Sequence, residues 1–294
     1  MISPRLDPLL RLESAITPRD HQLLSWLYDH GVLTSAQIAH ALFPSADYAQ
    51  RRLRRLTALQ VITRFRPLKP DGGSYPYHYL LDQLGTELVA AQRRDPMPRR
   101  DQARTRRLHL LSRANLPHLL GTNQFFTDLA GHQRTHPGTE LQRWWPESAF
   151  RDRGVFYQDG DDPQIMIAPL PRPDGHGIWV EHDRTVPFFL EYDTGTEKLP
   201  ILIGKIGRYT AVATLTNRSW PVLFYLPTLR REQALRQRLA DTQPLEAIVA
   251  TTAADHIAGT RLTVADQVWW LHGRQGPRLR LSELPSRDPD HDDS

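Results

Sequence analysis

From residue 17 onward the apolar positions recur first at helical and then at strand spacing. Thr17-Pro18-Arg19-Asp20 supplies an N-cap with proline at the first helical position, and Leu23, Leu24, Leu27 and Tyr28 continue a helix that His30-Gly31 ends. Thr34-Ser35-Ala36-Gln37 fits a capping box for a short second helix through Ile38, Leu42 and Phe43, stopped by Pro44. Ser45 caps a third helix. Its Ala49, Leu53, Leu56 and Gln60 fall on one side, while Tyr48, Arg51 and Arg55 project from the other, flanked by Arg52 and Arg54. A strand from Val61 to Arg66, a breaker-rich turn (Lys69-Pro70-Asp71-Gly72-Gly73-Ser74) and a strand from Tyr75 to Leu81 close a hairpin.

Three short helices and a hairpin predict a winged helix-turn-helix over residues 14–90, whose third helix enters the major groove of double-stranded DNA while the hairpin touches the adjoining backbone. Basic residues sit on both elements: Arg51, Arg52, Arg54 and Arg55 on the helix beside Tyr48, and Arg64, Arg66 and Lys69 on the wing. A solvated charged face is the competing reading of the same residues. Residues 91–107 then hold seven arginines and two prolines with almost no apolar residue. They read as a basic linker: an exposed strap for phosphates, a solubilising spacer, or the start of a charged helix.

Beyond it, Leu111, Leu116, Leu119, Leu120, Phe125, Phe126 and Leu129 repeat at helical spacing with a break at Leu116-Pro117. Trp144-Trp145 open a region of strands. Short apolar runs at Gly177–His182, Val186–Asp193, Val222–Leu226, Leu245–Thr251 and Val268–Leu271 are separated by helical stretches at Glu197–Thr214 and Arg230–Ala240. That alternation predicts an α/β domain over 108–284, making the whole chain α+β, followed by an acidic disordered tail over 285–294.

Composition sharpens this picture. Of 294 residues, 39% are apolar and 24% charged, enough to bury a core. The net charge of +4 is divided unevenly: residues 1–136 carry 19 Lys and Arg against 11 Asp and Glu, and the remainder 18 against 22. The front half is therefore the polyanion-facing part. The absence of cysteine excludes disulfides, Cys-ligated zinc and thiol catalysis. No apolar run approaches the ~20 residues of a membrane span, and MISPRLDPLLRLES lacks a signal-peptide core, so a cytoplasmic protein with no membrane partner is expected.

The chemistry concentrates in RPDGHGIWVEHDRTVPFFLEYDTGTEKLPILIGKIGRY. Glu191 and Asp193 stand two apart on one strand and share a face, and a hairpin could bring Asp174 beside them. Three carboxylates at a sheet edge are hard oxygen ligands for Mg²⁺ or Mn²⁺, which polarise a phosphodiester and activate water. Lys198 and Lys205, seven apart on the next helix and two of only three lysines, could stabilise charge on the phosphate in the transition state. The same residues also admit structural roles: ion pairs with arginine for the acids, a solvated surface for the lysines, and turn or cap chemistry for Asp174 and Glu197. Neither a His-x-His relaxase motif nor a Walker A or HExxH sequence occurs, which disfavours a relaxase, an NTPase or a zinc protease.

Pro173-Asp174 followed by Glu191-x-Asp193 resembles the PD-(D/E)xK nuclease pattern. TPRDHQLLSWLYDHGVLTSAQIAHALFP, LPHLLGTNQFF and PFFLEYDTGTEKL together resemble the replication-relaxation family of actinobacterial plasmid and mobile-element proteins, over about residues 14 to 275. The resemblance implies a winged-helix front end, a restriction-endonuclease-like rear domain, a role in relaxing plasmid DNA, and a relaxase or replication initiator as partner. Carried over by position, Asp174 and Glu191 match the metal-binding acids. Asp193 occupies the lysine position, so a catalytic lysine must come from Lys198 or Lys205. Two functions stay open: a metal-dependent nicking enzyme, or a non-catalytic DNA-binding accessory or transcriptional regulator with a degenerate nuclease fold.

Overall fold

A computed structural model describes residue 12 and residues 14–69, 72–111, 116–241 and 246–287. The chain is mixed α and β and divides into two compact units, Met1–Thr127 and Asp128–Ser294.

In the first unit, helices α1 (Pro18–His30), α2 (Ser35–Leu42) and α3 (Ala46–Ala58) start where their caps predict. Thr17 and Thr34 each close a capping box, and Ser45 Oγ accepts from the Tyr48 amide. Strands β2 (Ile62–Phe65) and β3 (His78–Leu81) form the hairpin, and a two-residue strand β1 (Leu33–Thr34) completes a sheet ordered β1-β3-β2, all antiparallel. Pro70 and Asp71 of the predicted turn lie outside the described residues. Leu23, Leu24, Leu27, Ile38, Leu53, Leu56, Val61, Ile62 and Tyr79 of this unit are all buried.

Of the readings open for residues 91–107, the charged helix is the one present, since helices occupy both ends of the segment. Asp82 caps helix α4 (Gln83–Arg93), which buries Leu88 and Val89 and sits so close to the hairpin that a Cβ on Gly85 would meet the Val61 carbonyl oxygen at 1.9 Å. Helix α5 (Gln102–Leu111) follows. Arg93 pairs with Asp29 at 2.6 Å, and Arg106 donates to the Tyr28 carbonyl at 2.6 Å. These two arginines fasten the segment to α1. Arg94, Arg99, Arg100 and Arg104 remain exposed.

Helix α6 (Leu116–Thr135) carries the predicted LPHLLGTNQFF stretch, and the break before it falls on residues 112–115, outside the described set. The second unit is built on a six-stranded sheet of β4 (Thr139–Pro146), β5 (Gly175–Glu181), β6 (Arg184–Tyr192), β7 (Val222–Leu226), β8 (Val249–Ala253) and β9 (Trp270–Leu271), in that order. The β6-β7 and β7-β8 pairs are parallel and the others antiparallel. Helices α7 (Leu199–Thr216) and α8 (Leu229–Ala240) supply the crossovers between the parallel strands. Leu202, Ile206, Leu235 and Leu239 from these helices pack with Phe189, Phe224 and Val249 of the sheet. A short helix α9 (Ala254–Ile257) follows β8. Residue 245 of the predicted strand lies outside the described residues, as do 288–294 of the predicted tail, whereas Arg287 is bridged to Ser219. Among the described residues no helix is long and apolar enough to cross a membrane.

Candidate functional site

Glu191 ends up at the carboxyl end of β6, where an open sheet with parallel strands ordinarily binds its ligands. Gly175 pairs with Leu190, so the register carries Asp174 beside Glu191, with the Asp174 amide donating to the Leu190 carbonyl at 3.0 Å. Asp174 Oδ2 accepts the Tyr192 amide at 2.8 Å, which fixes the carboxylate against the strand. From α7, Lys205 Nζ reaches Glu191 Oε2 at 2.9 Å and Tyr209 Oη donates to Oε1 at 2.5 Å. Lys205 and Tyr209 are one helical turn apart and therefore address the same carboxylate.

Glu191 is 2% exposed. Burial, with the Asp174 charge added to it, raises its carboxyl to about 7 despite Lys205 and Tyr209 pulling the other way. Burial opposes the Lys205 ammonium, but Glu191, Asp174 and Glu197 outweigh it and hold the lysine above its ordinary range. Glu197 lies 3.2 Å from Lys205 Nζ. Tyr209 is fully buried, and both burial and Glu191 push its phenol up.

The other two predicted members are placed elsewhere. Asp193 is buried but bonded to Arg231 of α8, and it also accepts the Gly195 amide at 2.9 Å. Lys198 is the exposed N-cap residue of α7 and makes no side-chain cap bond. The structure thus brings together Asp174, Glu191 and Lys205. Among the described residues no group of three or more histidine, aspartate or glutamate side chains is arranged to hold a metal ion. Tyr209 and Arg231 were missed by the sequence reading. The four-residue step from Lys205 to Tyr209 was the available signal for the first, whereas Arg231 comes from a helix 38 residues away from Asp193 and left none.

On the first unit, Arg51, Arg54 and Arg55 of α3 are exposed, and the Arg51 guanidinium lies 4.7 Å from the ring centre of Tyr48, itself 58% exposed. Arg52 is different. It is salt-bridged to Asp20, which is 1% exposed, and also donates to the Ala15 carbonyl at 2.9 Å. This ties α3 to the cap of α1, and the guanidinium is engaged within the unit. On the hairpin, Arg64 and Arg66 are exposed and lie over Tyr77 at 4.1 and 4.9 Å, with Lys69 5.5 Å from Tyr75. The hairpin is thus aromatic as well as basic, which the basic residues alone did not suggest.

Arg52→Ala is accordingly expected to lower stability by about 3 kcal/mol, because it leaves the buried Asp20 carboxylate unpaired. A urea midpoint close to that of the wild type would remove the structural role.

A family model described as replication-relaxation matches residues 24–226. No curated protein and no solved structure matches the chain.

Proposed function

Because the chain belongs to the replication-relaxation family, we propose that it is a DNA-binding protein of plasmid or mobile-element replication and relaxation. In this reading the first unit is a winged helix-turn-helix that selects double-stranded DNA. The second is a nuclease-like domain that nicks it. The observation that carries the reading is the meeting of Asp174, just before β5, with Glu191 on β6 and Lys205 from α7, two acids and a lysine from separate parts of the fold.

Two adjacent carboxylates, one of them driven to hold its proton by burial and then by the other's charge, are a donor set that a divalent cation relieves. They fit Mg²⁺ or Mn²⁺, which take oxygen ligands and retain water or phosphate oxygens in their remaining positions. Asp174 and Glu191 would hold the ion, and when bound it supplies polarisation of the phosphodiester and a more acidic water. Lys205 places a cation where charge builds on the phosphate. Tyr209 steadies the Glu191 carboxylate from the buried side.

One observation favours the non-catalytic alternative. Both Glu191 oxygens are already bonded, to Lys205 and to Tyr209, as in a structural ion pair. On that reading the second unit is a scaffold and the protein is an accessory or regulator beside a relaxase or initiator.

Incubation with supercoiled plasmid and Mg²⁺ or Mn²⁺ separates the two. Metal-dependent nicking that Asp174→Ala and Glu191→Gln both abolish is the expected result. Binding without nicking in the wild type would leave the accessory role. The DNA face has its own test, since Arg51→Ala and Arg55→Ala should each weaken duplex binding by about 1–3 kcal/mol without moving the unfolding midpoint. Unaltered affinity in both at fixed salt would remove α3 as the recognition helix.

A further inference from the structure

Beside the Asp174–Glu191 pair the second unit contains a cavity of about 70 Å³ that the proposed chemistry does not use. Its walls are chiefly aromatic: Trp145, Phe150, Phe189 and Trp220, with Arg143 at one side and His176 among them. His176 is 1% exposed and its ring stacks on Trp220 with 5.1 Å between centres. Nδ1 lies 2.8 Å from the Phe188 carbonyl oxygen, which can only accept, so Nδ1 carries the ring proton. Nε2, at the other end of the ring, therefore presents a buried lone pair that has no hydrogen-bond partner among the described residues. Burial pushes the imidazole down to about 3, so it does not gain a second proton near neutrality.

A buried acceptor between aromatic faces calls for a flat ligand that brings its own N–H. Arg143, whose guanidinium lies 4.3 Å from the Trp145 ring centre, adds donors suited to a carbonyl oxygen at the same mouth. Position narrows the choice further. Asp174 immediately precedes β5 and stands two residues before His176, a strand rise of about 7 Å, on the same face; Phe189 and Glu191 likewise share a face on β6. A ring seated in the cavity thus has its attachment point within one nucleotide's reach of the carboxylates.

We propose that this cavity receives the N–H edge of a nucleobase unstacked from the DNA strand, the rest of the ring lying against Trp145 and Trp220 at its opening and the N–H donated to His176 Nε2, so that the base's own phosphate is presented to Asp174 and Glu191. The inference rests on the DNA reading above and adds to it how the strand is held.

The test measures binding, by anisotropy of labelled oligothymidylate, of a base-free strand of equal length, and of oligothymidylate methylated at N3. Thymine offers one N–H between two carbonyls, and methylation removes that N–H. The wild type should prefer intact bases. Trp145→Ala should weaken oligothymidylate about tenfold, in the range of base–aromatic stacking, and Trp145→Phe should recover most of it. Because Trp145 is 37% exposed, these variants are compatible with a folded core. N3 methylation should weaken the wild type and make little difference to His176→Leu. Equal affinity for intact and base-free strands, or an equal methylation penalty in wild type and His176→Leu, would overturn the proposal. Duplex binding, measured alongside, tells the failures apart: its loss in the wild type sinks the DNA reading, whereas its retention without base dependence sinks the cavity alone.

Discussion

Replacing Lys205 with methionine is expected to destabilise the protein by about 3 kcal/mol near pH 8 and by about half of that near pH 5. The figure is at the lower end for breaking a buried pair because Lys205 keeps 34% of its side chain exposed. The pH dependence follows from Glu191. Its carboxyl is raised to about 7 from 4.5, so between those values the folded chain retains a proton that the unfolded chain has lost. Its contribution to stability therefore falls as pH rises through that window. Removing Lys205 withdraws the main cationic partner, raises the carboxyl further and extends the loss above pH 7, at up to about 1.4 kcal/mol per unit of pKa difference. Urea midpoints at the two pH values, for Lys205→Met with and without Glu191→Gln, measure it. In the glutamine background the methionine should cost little, since no buried charge is left unbalanced. Equal losses at both pH values would mean that the lysine contributes packing and not charge, and would weaken its claim to act on a phosphate.

The features legible in the chain were those whose physics is local. Thr17, Thr34 and Ser45 bond to amides three residues on, so the starts of α1 to α3 follow from short patterns. The apolar runs Val222–Leu226 and Arg184–Tyr192 are strands buried largely on both faces, and their spacing alone marked them to within two residues. Helix α4 was hidden because Arg93 and Arg94 gave its end the composition of a linker, although Asp82 and the Leu88-Val89 pair were there to mark it. Within the site, the closeness of Asp174 to Glu191 followed from a hairpin guess. The fate of the next carboxylate did not. Asp193 immediately follows the strand that carries Glu191, and period-two alternation assigned both to one face, but which cation meets each acid depends on which helix lies over it. Lys205 of α7 covers one and Arg231 of α8 the other. Likewise four arginines on α3 look alike in sequence, and only the buried Asp20 on another helix sets Arg52 apart from its neighbours.

Arg231 is where that arrangement can be tested most sharply. Its guanidinium bonds both oxygens of Asp193, whose side chain is 1% exposed, and also the Glu197 carbonyl. It therefore ties the turn from Asp193 to Glu197 onto α8, while Glu197 in turn contacts Lys205. Arg231→Met should cost about 3–5 kcal/mol, the penalty for leaving a buried carboxylate without its partner. Adding Asp193→Asn should restore much of the loss, because the unbalanced charge is then gone and the asparagine oxygen can still accept the Gly195 amide. If Asp193 serves only to hold the turn, Asp193→Asn by itself should leave the metal concentration needed for half-maximal nicking unchanged, whereas Asp174→Asn should raise it or abolish the reaction. A metal requirement that moves with Asp193 would instead make it a third ligand, released from Arg231 when the ion binds. Partial stabilisation of Arg231→Met by added Mg²⁺ would be the equilibrium sign of that release, since an ion that binds the freed carboxylate in the folded state adds to stability as its concentration exceeds its dissociation constant.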